Sequence, residues 1–239
     1  IYANNNFGAD FIFDNTQIQN NVIHAAHIED INNLLFLGSS CVYPKHSDQP
    51  IKEEYLLTGP LEPTNEAYAI AKISGIKLCE NYKKQYKRNY FSVMPTNLYG
   101  PNDNYDLSNS HVLPALLYKA HQAKINNDSE MVVWGSGKVR REFLYVDDLA
   151  EACVHLINMN YSGTMLNIGT GIDITIDQLA KKIMSTVGIE VRLVYDRNYP
   201  DGTPRKVLDV SKINELGWEA STSLQDGLRK VYNSKFLDK

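Results

Sequence analysis

A chain of 239 residues, 43% hydrophobic and 22% charged, has the composition of a globular protein with material for one large domain or two small ones. Its formal charge of −4 argues against broad nucleic-acid binding and against a basic membrane-facing surface, and no apolar run reaches bilayer-spanning length. Three widely spaced cysteines, Cys41, Cys79 and Cys153, form neither a disulfide framework nor a zinc pattern, so no metal is expected and a reducing, cytoplasmic setting fits.

The opening "IYANNNFGAD" has no initiator methionine and no signal-peptide layout, and it enters a helical pattern almost at once. The chain is expected to be the interior of a longer protein. From Ala9 to about Ile31, Phe11, Ile18, Val22, Ile23 and Ala26 recur at helical intervals. Leu34 to Leu37 then form a short apolar run ending at Gly38, which suits a parallel strand covered on both faces. Residues 44–63, rich in Pro, Gly and acids, read as a loop. A long helix is expected from Thr64 to about Lys87. "YFSVMPTNLYGP" reads as the next strand, broken by Pro95 and closed by Gly100–Pro101. "HVLPALLYKAHQAK" is helical after Pro114, and "MVVWGSG" is a strand ending in a glycine turn. "VDDLAEACVHLI" opens on an Asp pair suited to a helix N-terminus. "MLNIGTG" is a strand, "TIDQLAKKIMSTVG" a helix and "EVRLVYD" a strand.

This alternation predicts an α/β protein with a doubly wound parallel sheet. Ligands bind such sheets at strand ends, and three ends here carry chemistry: "GSSC" (38–41), "PTNLYG" (95–100) and "NIGTG" (167–171). On the helix after the first of them, "TNEAYAIAK" puts Tyr68 and Lys72 one turn apart on one face. Two readings stand side by side. One is an amphipathic surface pair; the other is a proton-donating phenol whose pKa the cation holds down.

A strand ending in "SSC" followed by a helix bearing Tyr-x-x-x-Lys resembles the extended short-chain dehydrogenase/reductase family, in its nucleotide-sugar-modifying branch. "FLGSSCVYPK", "EPTNEAYAIAK", "NLYGPNDNYDLSNSHVLPAL", "WGSGKVRREFLYVDDLA" and "DGTPRKVLDVSKINELGW" resemble, over nearly the whole chain, the GDP-L-fucose synthase family of dual epimerase/reductases. The resemblance implies an NADP(H)-dependent enzyme acting on GDP-4-keto-6-deoxy-D-mannose, and a homodimer. It implies a Rossmann cofactor domain over 1–110 and 142–170, and a smaller α/β substrate domain over 111–141 and 171–239.

It also implies roles for single residues. Tyr68 exchanges a proton with the substrate oxygen, Ser39 hydrogen-bonds that oxygen, and Lys72 holds the nicotinamide ribose. Cys41 and His111 match the base and the acid that invert C3 and C5. Leu37, Gly38, Ser39, Ser40, Lys72, Pro95, Thr96, Asn97, Leu98 and His111 match cofactor positions. Asn97, Lys119, Trp134, Arg141, Asp201 and Lys206 match substrate positions: Trp134 as a wall of the guanine pocket, Arg141 on the diphosphate, Asp201 and Lys206 on sugar or phosphate.

Each has a plainer reading. A lone cysteine after a strand is usually a small buried residue. A histidine before a helix is often a cap, serines at a strand end are ordinary turn residues, and a tryptophan on a short strand is often core. Arg140 reads as a solvated surface charge. What favours the functional reading is that Ser39, Cys41, Tyr68, Lys72 and His111 occur together with matching neighbours.

Two departures stand out. Lys119 replaces an arginine frequent in the family, keeping charge and losing bidentate geometry. The Gly-rich turn that holds the cofactor pyrophosphate is also missing, since neither "GSSCVYPK" nor "GTG" at 169–171 has its pattern. It is expected upstream of Ile1 with the rest of the first βαβ unit, and the chain by itself is expected not to turn over. Another nucleotide-sugar epimerase or dehydratase of the branch, or a non-catalytic nucleotide-sugar-binding relative, remain the alternatives.

Overall fold

The computed structural model describes residues 7–107 and 109–237; the first six residues, in which the expectation of an interior start begins, lie outside them. Its first layer is a parallel sheet of β1 (Asn33–Leu37), β2 (Asn89–Pro95) and β6 (Met165–Ile168), in the order β1-β2-β6. Leu37 pairs with Val93 and Pro95 with Ile168, so the strands end together at one rim. β2 is the central strand and is buried from Tyr90 to Pro95. β1, expected to be covered on both faces, is instead an edge of this sheet among the described residues, half-buried over Leu34–Phe36 and exposed at Leu37.

Two helices running in the same direction, α1 (Gly8–Ile28) and α2 (Glu66–Tyr86), cover one face, with Gln19 against Ser74 and His24 against Tyr82. They approach closely at Gly75, where an added Cβ would lie 2.5 Å from Phe36 Cζ and 2.9 Å from the Gln19 amide. The buried Gln19 donates from Nε2 to the Ala71 carbonyl at 2.6 Å and to Ser74 Oγ at 2.8 Å. The other face is covered by α4 (Val146–Asn158), whose Leu149, Ala152 and Leu156 pack with Phe91, Val93, Leu166 and Ile168. Ile213, on α6 (Ser211–Glu215), and Trp218 join that core.

The second layer is built on β5 (Arg140–Tyr145). It pairs in parallel with β3 (Asn97–Tyr99) and β9 (Arg205–Lys206), and antiparallel with β7 (Asp173–Thr175). Beside it, β4 (Glu130–Trp134) and β8 (Arg192–Asp196) form a parallel pair. Helices α3 (Val112–Asn126), α5 (Ile176–Val187) and α7 (Leu224–Tyr232) bury Leu116, Leu117, Leu179, Ile183, Leu228 and Val231 in a separate core. α5 starts with a reciprocal cap between Thr175 and Gln178 and stops at Gly188, whose φ of 76° a side chain would disfavour.

The α/β class stands, with differences in detail. The single strand expected over "YFSVMPTNLYGP" is two strands in different sheets. Pro95 ends β2, the Thr96 N–H donates to the Ile168 carbonyl, and Asn97 begins a new ladder with Phe143. A proline lacks the donor needed to continue a central ladder. α3 begins at Val112 rather than after Pro114, because proline is tolerated in a first helical turn. β5, β7, β9, α6 and α7 were not expected from the sequence; β5 opens "RRE", whose charges conceal its period.

The 44–63 segment is a loop with short 3-10 turns at Glu53–Tyr55 and Pro63–Asn65, tied down by a bridge from Ile51 to Leu208. It is anchored on the buried Asn167. The Tyr43 hydroxyl donates to Asn167 Oδ1 at 2.6 Å, Asn167 N donates to Glu53 Oε1 at 3.0 Å, and Asn167 Nδ2 donates to the Ile51 carbonyl at 2.9 Å. Lys212 closes the ring of contacts on Glu53 at 2.8 Å.

Candidate active site

Where the parallel strands end, a cleft of about 1200 Å³ opens between the two layers. This is the place at which open α/β sheets bind ligands. Leu37 to Cys41, Tyr68, Lys72, Pro95 to Leu98, His111, Arg141, Asp201 and Lys206 all line it, and Lys119 and Trp134 do not.

The floor follows from β1. Gly38 is buried, its N–H donates to the Val93 carbonyl at 2.8 Å, and a Cβ there would come within 2.9 Å of Met94 Sδ. Ser39 is extended and caps a short 3-10 turn, Ser40–Val42, by accepting from Cys41 N at 3.2 Å. The two cleft residues therefore share one local frame.

Tyr68 and Lys72 come from α2. Lys72 Nζ donates to the Leu37 carbonyl at 3.0 Å and lies 5.7 Å from the Tyr68 ring centroid. The expectation of a phenol pKa held down by that cation is not met. Burial pushes the Tyr68 phenol up, the nearby Cys41 sulfur adds to this, and a Ser39 hydrogen bond opposes it. The ammonium charge sits over the ring and on a carbonyl rather than at the phenol oxygen. Burial in turn lowers the Lys72 ammonium.

Cys41 behaves in the opposite sense. Burial raises the thiol, but the Lys206 charge and hydrogen bonds from Ser39, Lys206 and Asn65 outweigh burial, and the net shift is below the ordinary thiol value. Lys206 Nζ is 3.4 Å from Cys41 Sγ. This lysine, which the resemblance places on sugar or phosphate, also reaches the sulfur.

His111 sits at the N-cap position of α3 with extended backbone (φ −71°, ψ 163°) and makes no side-chain capping bond, so it is exposed at the cleft lip. Asn97 donates from Nδ2 to the Glu142 carbonyl at 2.8 Å, which fixes its side chain at the β2–β3 junction. Arg141 donates to the Arg140 carbonyl at 2.8 Å; burial lowers its pKa and Asp201 opposes that. Asp201 Oδ1 accepts from Ser136 N at 2.7 Å, two residues beyond Trp134. Trp134 stacks face to face on Tyr199, centroids 4.1 Å apart and planes at 6°, with Lys119 Nζ 4.5 Å from its centroid.

Arg140 is not a free surface charge. With Arg205 it clamps the nearly buried Asp173, Arg140 Nε to Oδ2 at 3.0 Å and Arg205 Nε to Oδ2 at 2.6 Å. Burial raises the Asp173 carboxyl, but hydrogen bonds and charge from Arg205 and Arg140 bring it down to about 2. Glu142 was also missed. It is fully buried and accepts from Thr170 N (2.6 Å), Gly171 N (2.7 Å) and Leu208 N (2.9 Å), gathering the "NIGTG" turn and the β9 exit onto β5. The available signal was an acid at an inward position of "REFLY".

The strand-end side of the cleft suits a nicotinamide cofactor: a bare Gly38 backbone, an exposed Leu37, and Lys72 and Tyr68 on one helix face. The donors of a pyrophosphate-binding Gly-rich turn are not among these residues. Among the described residues no group of three or more His, Cys, Asp or Glu could hold a metal ion, and no helix is long and apolar enough to cross a membrane.

Known proteins are similar to this chain over most of its length. Residues 1–169 match the NAD dependent epimerase/dehydratase family. The chain is 57% identical to the putative GDP-L-fucose synthase 2 of Arabidopsis thaliana, over 97% of this chain and 71% of that relative. It is 54% identical to the GDP-L-fucose synthase of Escherichia coli (strain K12), over 97% of this chain and 75% of that relative. Among solved structures, a GDP-mannoheptose C4 reductase from Campylobacter jejuni with NADP bound superimposes with a TM-score of 0.87 at 36% identity, covering 97% of this chain and 78% of that one.

Proposed function

The chain belongs to the NAD dependent epimerase/dehydratase family, and from that membership we propose that it makes GDP-L-fucose from GDP-4-keto-6-deoxy-D-mannose by 3,5-epimerisation and 4-reduction. The observation that carries this reading is one cleft lined by Ser39, Cys41, Tyr68, Lys72 and His111. The cofactor is a nicotinamide dinucleotide, and NADPH is the form proposed, held by Leu37 to Ser40, Lys72, Pro95 to Leu98 and His111.

The C4 ketone of the substrate acidifies the hydrogens at C3 and C5. Cys41, as thiolate, removes the proton from each carbon in turn, and each time His111 returns one to that carbon from the opposite face. Ser39 and Tyr68 donate hydrogen bonds to the C4 oxygen as negative charge develops on it. For the reduction, Tyr68 gives its proton to that same oxygen, and its raised pKa keeps the proton in place at neutral pH. NADPH, when bound, supplies the hydride for C4. Arg141, Lys119, Asn97, Trp134, Asp201 and Lys206 are the proposed substrate contacts. Arg141 offers a guanidinium fork to the diphosphate.

Two further statements belong to the same proposal. The division into a cofactor domain (1–110 and 142–170) and a substrate domain (111–141 and 171–239) is supported by the separate cores, although Ile213 and Trp218 cross to the first. A homodimer is supported by an outward apolar face of α1, with Phe13, Ile18, Val22 and Ile28 each more than half exposed, and the mass measured by light scattering tests it.

Incubation with the 4-keto sugar and NADPH in deuterium oxide tests the chemistry. Deuterium at C3 and C5 together with NADPH oxidation is expected. Oxidation without deuterium would instead favour the C4-reductase reading suggested by the Campylobacter relative. Binding of the GDP-sugar with neither signal would favour a binding module.

A further inference from the structure

We infer that Lys206 is the positioning residue that sets the charge state of Cys41, holding it as a thiolate and therefore as a base at neutral pH. The inference rests on the reading of Cys41 as the epimerisation base and adds what makes a thiol competent for that task.

The argument begins with strand register. β9 and β5 run in parallel with Arg140 opposite Arg205 and Arg141 opposite Lys206. Successive side chains on a strand point to opposite faces. Arg140 and Arg205 share the face that clamps Asp173, and Arg141 and Lys206 share the face that lines the cleft. The Asp173 clamp thus fixes the rotation of β9, and that rotation carries the next residue, Lys206, to 3.4 Å from Cys41 Sγ.

The surrounding charges leave the sulfur as the counter-ion of Lys206. The three cleft carboxylates are occupied elsewhere: Glu62 pairs with Lys45 at 3.0 Å, Asp103 Oδ1 accepts from Asn104 N at 2.7 Å, and Asp201 accepts from Ser136 N at 2.7 Å. Among the described residues Lys206 lies within ion-pair distance of no carboxylate. From β5 the Arg141 guanidinium adds positive charge to the same region. From α2, Tyr68 is neutral at physiological pH, and Lys72 points to the Leu37 carbonyl. His111 lines the cleft from the start of α3.

A buried thiol without such a partner is protonated and inert; beside an ammonium it loses its proton to water while the ammonium keeps its own. The thiolate then takes the C3 or C5 proton, and the sulfur returns to the thiol form. Because β9 belongs to the layer opposite β1, the pair also joins the two layers across the cleft.

The titration of Cys41 tests this without substrate or cofactor, so its outcome is independent of whether the epimerase reading holds. The 239-residue chain is alkylated with iodoacetamide across a pH series, and the modified Cys41 peptide is quantified by mass spectrometry apart from those of Cys79 and Cys153. Wild-type Cys41 is expected to titrate below the ordinary thiol value of about 8.5. Lys206→Met and Lys206→Gln are expected to raise that midpoint and to slow alkylation at neutral pH about tenfold. Lys206→Arg is expected to retain the wild-type profile, which a merely structural role for the side chain does not require. A wild-type midpoint at or above the ordinary value overturns the inference whatever the variants do. So does an unchanged profile in a folded Lys206→Met or Lys206→Gln chain, with folding read by circular dichroism.

Discussion

Lys72 and Tyr68, one helical turn apart, meet charge to ring face rather than charge to oxygen: Nζ is 5.7 Å from the ring centroid and donates instead to the Leu37 carbonyl. The lysine thereby ties α2 to the exposed end of β1, at the strand rim where the proposed cofactor contacts cluster. The phenol is left in a half-buried site with a raised pKa, which makes it an acid loaded with its proton.

Tyr68→Phe keeps the ring and removes that proton. Ketone reduction is expected to fall by about 10²–10⁴-fold, the usual range for a lost general acid. In the parent enzyme the Tyr68 step is expected to be flat through neutral pH and to decline only above the ordinary tyrosine value of about 10. NADPH oxidation against pH checks both, and a Tyr68→Phe enzyme as fast as the parent would remove Tyr68 from the mechanism. Lys72→Met is expected to weaken NADPH binding as well as turnover.

Cys41→Ser replaces a thiol with an alcohol, a far weaker base at neutral pH. Deuterium incorporation at C3 and C5 is expected to drop at least a hundredfold (about 10²) while reduction of the unepimerised ketone persists. Exchange at the parental rate would assign the base to another group.

Asp173 carries a prediction about stability. Its carboxyl is held at about 2, below the unfolded value of about 3.9. A folded-state pKa depressed in this way contributes stability that is complete above the unfolded value and is lost as the pH falls from about 4 to about 2. Because both arginines are more than a third exposed, screening reduces the contribution to about 1–2 kcal/mol. Asp173→Asn is expected to lower the urea midpoint at neutral pH, with the gap to the parent closing in acid. A gap of constant size across the titration would contradict the assignment.

Tyr43→Phe deletes the hydroxyl that donates to Asn167 Oδ1 and strands a buried amide oxygen. The expected loss is about 1–3 kcal/mol by urea denaturation. Faster proteolysis in the 44–63 loop should accompany it, since Asn167 also receives the Ile51 and Glu53 contacts of that loop.

Trp134→Ala tests the outlying substrate position. The indole stands outside the cleft lining, stacked on Tyr199, but its turn is tied to Asp201 through Ser136. Loss of a stacking surface for guanine is expected to weaken GDP-sugar affinity roughly tenfold, at the lower end of aromatic–base stacking. Calorimetry that finds equal affinity in the variant would make Trp134 and Tyr199 a purely structural pair.

The parts of this protein legible in its sequence are those encoded within a few residues. Apolar spacing at Ile18, Val22 and Ile23 announces α1, the run Leu34–Leu37 announces β1, and the i, i+4 spacing of Tyr68 and Lys72 puts both on one face of α2. "SSC" at the end of β1 marks the strand end that became the cleft floor. The tertiary structure alone decided which distant residues meet. Lys206 and Cys41 are separated by 165 positions, and their contact depends on the register of β9 against β5. β5 itself was hidden because the charged run Arg140, Arg141 and Glu142 masks its period in sequence, while in the fold Arg140, read as a solvated charge, clamps Asp173 and Glu142 is fully buried on backbone donors. A local period records the torsions and the face of one segment; a register or an ion pair records the sum of packing across many segments. No short window of sequence contains that sum.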